Sequence, residues 1–191
     1  MESNARDKIL QTARQLIEAY GYNNLKINDI TEKAGVAIGT FYWHFKQGKS
    51  SIVKELAREG ARNLNLFLKK IKIEPDNPIK GFKPFFLKYI EFHRKSRSQL
   101  IALETESMIN PEIAAEFEEI LKTEMLGTVE FIENILKKSN IALKDLSEKL
   151  KISTILFDDL VHRHVIFDDR YGSDDFFADL LVSFFDTILT K

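Results

Sequence analysis

Thr40, Tyr42, Trp43, His44 and Lys49 place polar and aromatic side chains within one short segment of the 191-residue chain. Hydroxyl groups and protonated histidine nitrogens donate hydrogen bonds to phosphate oxygens, and a lysine ammonium adds a positive charge. The segment therefore carries side chains that suit a phosphate backbone. An ordinary helical hairpin with a polar surface would show the same residue types, so the surrounding elements must decide between the two interpretations.

Two short helices joined by a tight turn are predicted here, over about 27–34 and 38–45. Ile30 and Phe41 are spaced to face inward between these helices. Gly35 lies at the turn, where a reversal over few residues requires a positive φ that glycine adopts without steric cost. Two helices packed across such a turn form a helix-turn-helix, whose second helix projects one face outward.

Three stretches of the sequence closely resemble the N-terminal signature of the TetR family of transcriptional regulators. They are Arg6-x-x-Ile9-Leu10-x-x-Ala13, Gly21-Tyr22, and Ile30-x-x-x-Ala34-Gly35-Val36-Ala37-Ile38-Gly39-Thr40-Phe41-Tyr42-Trp43-His44-Phe45. The resemblance covers about residues 6–52 and joins a helix stripe, a turn glycine and an ordered polar face. The rest of the chain is similar to that family in its size and its all-helical character.

The resemblance implies a homodimer that binds a palindromic double-stranded DNA operator and is released by a small molecule. Apolar residues at helical spacing along the chain independently predict an all-α fold of about nine helices. An N-terminal three-helix helix-turn-helix domain would span 1–49, and a C-terminal helical bundle for ligand binding and dimerisation would span 50–191. Repression is the expected outcome, while activation stays open because the sign depends on where the operator lies relative to the promoter.

In that family one set of positions contacts phosphates and another lies at or near base edges. The phosphate positions correspond to Thr40, Tyr42, His44 and Lys49, and the base-edge positions to Asn28, Ile38, Gly39 and Trp43. The Asn28 amide suits adenine and the Ile38 side chain suits the methyl group of thymine. For Trp43 the alternative is packing against Lys26 or the first helix.

The sequence departs from the family pattern at three points. Lys26 occupies the usual threonine N-cap of the second helix, which removes a capping bond and adds a charge near the phosphates. Ala37 replaces the serine that caps the recognition helix, which should cost about 1 kcal/mol. The segment after Phe45 is one residue longer than the commonest form, so we align Lys49, and not Gly48, with the phosphate-binding lysine.

Composition excludes several other classes of function. The chain has no cysteine, which excludes disulfides, thiol catalysis and cysteine-ligated metals. It has neither the apolar core of a signal peptide nor a stretch long enough to span a bilayer, so we expect a soluble cytoplasmic protein without a membrane partner. The formal net charge of −1 conceals a basic excess in 1–110 and an acidic excess in 111–191. This asymmetry permits an anionic partner at one end of the sequence.

Most of the 15 phenylalanines lie in the helical body that follows the helix-turn-helix. Core packing is one interpretation, and an elongated apolar cavity for a small hydrophobic effector is the other. The predicted cavity residues are Phe85, Phe86, Tyr89, His93 and Phe131, with Arg94 or Arg97 near a polar end. A fatty acid or an acyl thioester such as an acyl-CoA would suit such a lining.

The last two predicted helices are apolar on more than one side, which requires cover on both sides. A two-fold four-helix dimer interface would supply that cover. The predicted interface residues are Leu156, Leu160, Phe167, Phe177, Leu181, Phe184 and Ile188.

No metal site, cofactor or catalytic residue is predicted. His162 and His164 are two residues apart on a helix and point to different sides, while Asp158 and His162 are four apart. The latter spacing allows a shared metal but favours a solvated or hydrogen-bonded pair. Without a catalytic motif we expect no enzyme. The alternative to a regulator is a helical small-molecule-binding or adaptor protein without specific DNA binding.

Overall fold

The secondary structure of the described residues is entirely helical, as the sequence predicts. This computed structural model describes residues 2–68, 70, 78–138 and 145–190, which form nine α-helices, one short 3-10 helix and no strand. The helices are α1 (Glu2–Tyr20), α2 (Ile27–Ala34), α3 (Ile38–His44), α4 (Lys49–Leu68), α5 (Pro78–Lys95), α6 (Arg97–Ile109), α7 (Pro111–Lys138), α8 (Leu146–Ile166) and α9 (Asp174–Thr190). The 3-10 helix is Tyr22–Asn24. Across these helices, none is long and apolar enough to cross a lipid bilayer.

Side-chain caps explain where two of the long helices begin. Before α7, the Asn110 side-chain oxygen accepts a hydrogen bond from the backbone N–H of Glu112 at 3.1 Å. Before α9, the Ser173 hydroxyl accepts one from the backbone N–H of Phe176 at 3.3 Å. Each bond satisfies one of the N–H groups that a helix start leaves without an intrahelical partner.

The chain divides into two compact units. Unit 1 comprises 1–61 and 96–120, and unit 2 comprises 62–95 and 121–191. The boundaries differ from the predicted functional domains of 1–49 and 50–191, because α6 and the start of α7 pack with the N-terminal helices. The assignment of functions to 1–49 and 50–191 stays a prediction.

Unit 1 is built on an apolar core with one buried polar connection. The core includes Ile9, Ile30 and Phe41, which are fully buried. In its interior the Tyr22 hydroxyl donates a hydrogen bond to Glu106. Burial, and then the hydrogen bond and charge of Glu106, raise the pKa of Tyr22, so the phenol keeps its proton and remains a donor. This bond fixes α6 to the segment that follows α1.

Unit 2 has a core dominated by aromatic rings from α5, α8 and α9. Phe82 of α5 is fully buried, and its ring meets that of Phe185 edge-on at a centroid distance of 4.7 Å. Phe86 and Phe157 make a similar contact at 5.3 Å. Edge-to-face pairs of this kind stabilise the core beyond the effect of the apolar area that the rings bury. Most of the phenylalanines of this unit therefore serve the core.

Candidate nucleic-acid interface and ligand cavity

Two buried rings hold the inner side of α3. Phe41 and Phe45 are buried in the core of unit 1 and lie 5.6 Å apart between ring centroids. The Phe41 ring also meets that of Tyr42 edge-on at 5.4 Å. Because a helix turns about 100° per residue, anchoring Phe41 and Phe45 on one face directs Tyr42 and Trp43 away from the core.

The turn before α3 has the predicted left-handed glycine. Gly35 has φ 65° and ψ 40°, and its backbone N–H bonds to the carbonyl of Glu32 at 3.2 Å. The next N–H, of Val36, bonds to the carbonyl of Thr31 at 3.0 Å. These bonds satisfy carbonyls that the end of α2 would otherwise leave open and set the direction in which α3 departs.

The outward face of α3 exposes three large side chains. Ile38 is 52%, Tyr42 46% and Trp43 61% exposed. The Trp43 ring touches the neighbouring His44 ring edge-on at 4.5 Å between centroids. With well over half of its surface open, Trp43 is not enclosed between α3 and another helix.

The other predicted DNA-contacting residues are all exposed or half-buried. Gly39, Lys26 and Asn28 are exposed, whereas Thr40, His44 and Lys49 are half-buried. The Lys49 ammonium lies 4.8 Å from the centroid of the Tyr22 ring, where the π face of the ring attracts a cation. All nine predicted residues therefore belong to unit 1 and keep part of their surface open. Their contacts with DNA stay a prediction.

The two missing caps are as predicted. Lys26 and Ala37 are the N-cap residues of α2 and α3, and neither makes a side-chain capping bond. The start of α3 thus lacks the hydroxyl that would satisfy one of its first N–H groups.

Unit 2 contains a small cavity of about 20 Å³. Its lining is mostly apolar and comprises Phe82, Phe85, Phe86, Tyr89, Thr128, Ile132, Ser153, Thr154, Phe157, Asp158 and Phe185. A water molecule needs on the order of 10–15 Å³ on this scale, whereas sites for drug-sized ligands span roughly 300–1,000 Å³. In this state the cavity is closed to a long hydrophobic molecule.

Half of the predicted ligand residues line this cavity. Phe85, Phe86 and Tyr89 do, whereas His93 and Phe131 are outside the lining and Phe131 stacks on Phe85 at 6.4 Å. Phe82 also lines the cavity and lies outside the predicted set, although it shares the helical spacing of the other α5 phenylalanines. No sequence pattern identifies the lining residues of α7 and α8, since only tertiary packing brings those helices next to α5.

The predicted arginine at a polar end of the cavity has other partners. Arg94 donates hydrogen bonds to Asp174 and, at 2.7 Å, to Asp169. Burial alone would raise the pKa of Asp174, but the bonds from His164 and Arg94 outweigh it and lower that pKa. Arg94 is therefore part of an ion-pair cluster. Arg97 belongs to unit 1 and not to the unit that holds the cavity.

A second polar cluster lies between α5 and α8. The Nε2 atom of His162 is 3.5 Å from Asp158 Oδ1, as expected for a pair four residues apart, and His93 Nε2 is 3.9 Å from the same oxygen. Burial, and then the neighbouring His162, lower the pKa of His93 to about 4, so its ring is neutral near pH 7. The spacing of Asp158 and His162 predicts their pairing, whereas His93 reaches the pair from another helix.

The predicted dimer residues separate into two groups. Phe177 and Leu181 are buried in the core of unit 2, so their assignment to a dimer interface is corrected: their surface is already covered within the protomer. Leu156, Phe167 and Phe184 are exposed. The remaining two, Leu160 and Ile188, are half-buried.

The helix-turn-helix region has relatives among known proteins. Residues 9–56 match the family of bacterial regulatory proteins named the tetR family. The HTH-type transcriptional regulator LmrA of Bacillus subtilis is 34% identical over 56 residues, which cover 29% of this chain and 30% of LmrA. The curated relatives are matched over less than half of their own length.

Solved structures resemble almost the whole chain. Salmonella enterica GusR superimposes with a TM-score of 0.73 at 17% identity, covering 98% of this chain and 96% of GusR. The transcriptional regulator FadR of Bacillus subtilis, in complex with stearoyl-CoA, gives a TM-score of 0.69 at 20% identity and covers 96% of this chain and 97% of FadR. At such identities the likeness shows the fold. The N-terminal region of the chain therefore matches the tetR family of bacterial regulatory proteins, and the chain shares the fold of these solved structures.

Proposed function

We propose that the protein is a ligand-responsive transcriptional repressor of the bacterial cytoplasm. It binds a palindromic DNA operator as a homodimer, through α2 and α3 of each protomer. A small hydrophobic effector with a long acyl chain binds in unit 2 and releases it from the operator.

The observation that carries this proposal is the outward face of α3. Ile38, Tyr42 and Trp43 are exposed on a seven-residue helix whose inner side is held by buried rings. Contiguous exposed apolar and aromatic side chains mark interaction sites. An aliphatic side chain can meet a thymine methyl group, and a phenol can donate to a phosphate oxygen.

The charges around α3 support an anionic partner. Lys26 is the N-cap of α2, Lys46 is exposed in the turn after α3, and Lys49 begins α4. Each lysine that neutralises a phosphate releases condensed counterions from DNA, which favours binding and makes it depend on salt. The exposed Asn28 amide near Lys26 suits an adenine edge.

The exposed apolar side chains of α8 and α9 support a homodimer. Leu156 and Phe184 are exposed, as are Ile155 and Phe176 on the same two helices. A two-fold partner that presents the same helices would cover this surface. Such a dimer would offer two copies of α3, which suits half-sites about one DNA turn, ~34 Å, apart.

The effector class is proposed from the aromatic lining of the cavity and from the stearoyl-CoA that FadR binds. Because the cavity holds about 20 Å³, an acyl chain can enter only if side chains such as Phe85 and Phe86 move apart. Binding would then favour a conformation that differs from this one, and an effector can weaken operator binding only through such a difference.

Selection from random duplex DNA at physiological salt tests the DNA-binding part. Wild type should enrich an inverted repeat, and Tyr42→Ala should bind that repeat roughly 100-fold or more weakly. This loss follows because a hydrogen bond to a charged group contributes about 1.5–3 kcal/mol and each dimer makes two. Tyr20→Ala removes another exposed tyrosine, at the end of α1, and is the matched control.

Two results would contradict this part of the proposal. One is equal binding of the repeat by wild type and Tyr42→Ala. The other is wild-type binding that is weak, sensitive to salt and independent of sequence, which favours the adaptor or ligand-binding alternative. Titration of the selected complex with acyl-CoAs of increasing chain length then tests the effector. If none of them releases DNA, the acyl effector is rejected, while the proposal of operator binding is unaffected.

A further inference from the structure

Three metal-ligating side chains converge within unit 2. His93 lies on α5, while Asp158 and His162 lie four residues apart on α8. One ligand atom from each of the three side chains lies within 4.8 Å of the other two. The two histidine rings are 4.9 Å apart between centroids. The spacing on α8 puts its two groups on one face of the helix, and His93 completes the cluster from α5.

The orientation of His93 is set by a bond to the backbone. Its Nδ1 atom lies 2.9 Å from the carbonyl oxygen of Tyr89, one helical turn earlier. Since a carbonyl oxygen can only accept, Nδ1 carries the proton and the Nε2 lone pair is left to face Asp158. Metal-binding histidines in proteins are held in the same way, with the second ring nitrogen donating to a carbonyl or a carboxylate.

We propose that His93, Asp158 and His162 bind a divalent first-row transition-metal ion, with Zn²⁺ as the reference ion. Two imidazoles and one carboxylate suit zinc, iron, cobalt or nickel, whereas Mg²⁺ and Ca²⁺ prefer oxygen ligands. Three protein ligands leave one or more positions for water or another oxygen ligand. Tyr89 and Asp158 also line the cavity, so the site lies at the cavity wall.

The distances fit this assignment after small side-chain movements. Zinc bonds of about 2.0–2.1 Å in a tetrahedron separate the ligand atoms by about 3.4 Å. The two histidine nitrogens are 3.5 and 3.9 Å from Asp158 Oδ1. The Tyr89 hydroxyl donates to the same oxygen and supplies an outer contact to the carboxylate. Rotation of the side chains therefore suffices to close the three groups around one ion.

A second cluster in unit 2 contains the same types of side chain, but its carboxylates are paired with an arginine. His164, Asp169 and Asp174 also lie within metal-binding reach of one another. There the Arg94 guanidinium binds both carboxylates and supplies the positive charge. The ion pairs that the structure describes for Asp158 are with His93 and His162, and no arginine or lysine is among them. A cation bound to Asp158 would supply the charge that Arg94 supplies in the other cluster.

Metal binding to the purified full chain without a histidine tag is the test. Equilibrium dialysis with Zn²⁺ should give one ion per chain. Addition of Co²⁺ should give visible absorption bands typical of nitrogen and oxygen ligands at a four- or five-coordinate ion. His93→Gln, Asp158→Asn and His162→Gln should each lower the affinity by at least about 10- to 100-fold, the range seen when only an outer-shell partner is lost. His164→Gln is the matched control among the four histidines and should bind like wild type.

A second measurement separates loss of the site from loss of the fold. Zn²⁺ should raise the thermal unfolding temperature of wild type and of His164→Gln, because the ion binds the folded chain more tightly than the unfolded one. It should not do so for Asp158→Asn, which retains the size of the side chain. Wild type with neither stoichiometric Zn²⁺ nor Co²⁺ bands would overturn the proposal. So would wild-type affinity in all three site variants. Neither result depends on DNA binding.

Discussion

The exposed face of α3 and the interior between α5 and α8 represent two different ways of building a site. On α3 the candidate residues follow one another along a short helix and face outward because buried rings hold the opposite side. Between α5 and α8, His93 meets residues more than 60 positions away, and the cavity beside it is nearly filled by phenylalanines. The first site is local and open, and the second is assembled by packing and closed.

This difference indicates what each region needs for its function. The side chains on the outward face of α3 are exposed and contribute little to the core, so substitutions there should alter DNA binding with little effect on folding. The interior of unit 2 holds the unit together, so changes there should first alter stability. By the effector proposal, a molecule that enters this unit must displace contacts that now stabilise the core.

The largest expected effect is a difference in stability between substitutions at two neighbouring phenylalanines of α9. Phe185 is 1% exposed and Phe184 is 43% exposed. Phe185→Ala should lower the free energy of unfolding by about 3–5 kcal/mol, because it removes a buried ring and leaves a cavity. Phe184→Ala should change the unfolding of the protomer little, and by the dimer proposal it should weaken self-association. Urea unfolding and sedimentation measure the two effects.

Similar unfolding of the two variants would remove the distinction between a buried and an open face of α9. Unchanged self-association of Phe184→Ala, at protein concentrations that span the dimer dissociation constant, would remove Phe184 from the proposed interface.

A smaller effect is expected from two glycines near α3. Gly35 has φ 65°, and an added Cβ would meet no atom within 4 Å, so Gly35→Ala costs only the left-handed conformation, about 1–2 kcal/mol. Gly39 also has open space around it but lies inside the helix, where alanine is favoured. Gly39→Ala should therefore leave the protein at least as stable. By the proposed mode of operator binding it should weaken that binding, since the added methyl group would stand between the helix and DNA.

Urea unfolding and DNA titration of the same two variants check this pair. Wild-type stability of Gly35→Ala would show that the turn tolerates another conformation. Wild-type operator affinity of Gly39→Ala would show that the start of α3 does not approach DNA closely.

The smallest expected effect is a gain. Ala37→Ser supplies the missing hydroxyl at the N-cap of α3 and should stabilise unit 1 by about 1 kcal/mol. The midpoint of urea unfolding should rise, with an unchanged slope. Ala37→Val adds bulk without a hydroxyl and should give no gain. If both variants have the same stability, the first N–H groups of α3 have hydrogen-bond partners other than an N-cap side chain.

The local features of this protein follow from short stretches of its sequence. Helical periodicity predicted an all-α chain, and the need for a positive φ identified Gly35 as the turn. The spacing of Phe41 and Phe45 determined which side chains of α3 face outward, and the residue types at Lys26 and Ala37 predicted the missing caps. Each of these features depends on residues within one or two helical turns, where backbone geometry dictates direction.

The remaining features depend on how distant parts of the chain pack together. The adjacent rings Phe184 and Phe185 have the same residue type, and only the packing of α9 determines which one is buried. Arg94 is bound by two carboxylates that follow it by 75 and 80 residues. His93 meets Asp158 and His162 because α5 packs against α8. Helical periodicity sets the faces of a single helix, whereas the pairing of those faces depends on how the whole core fills its space.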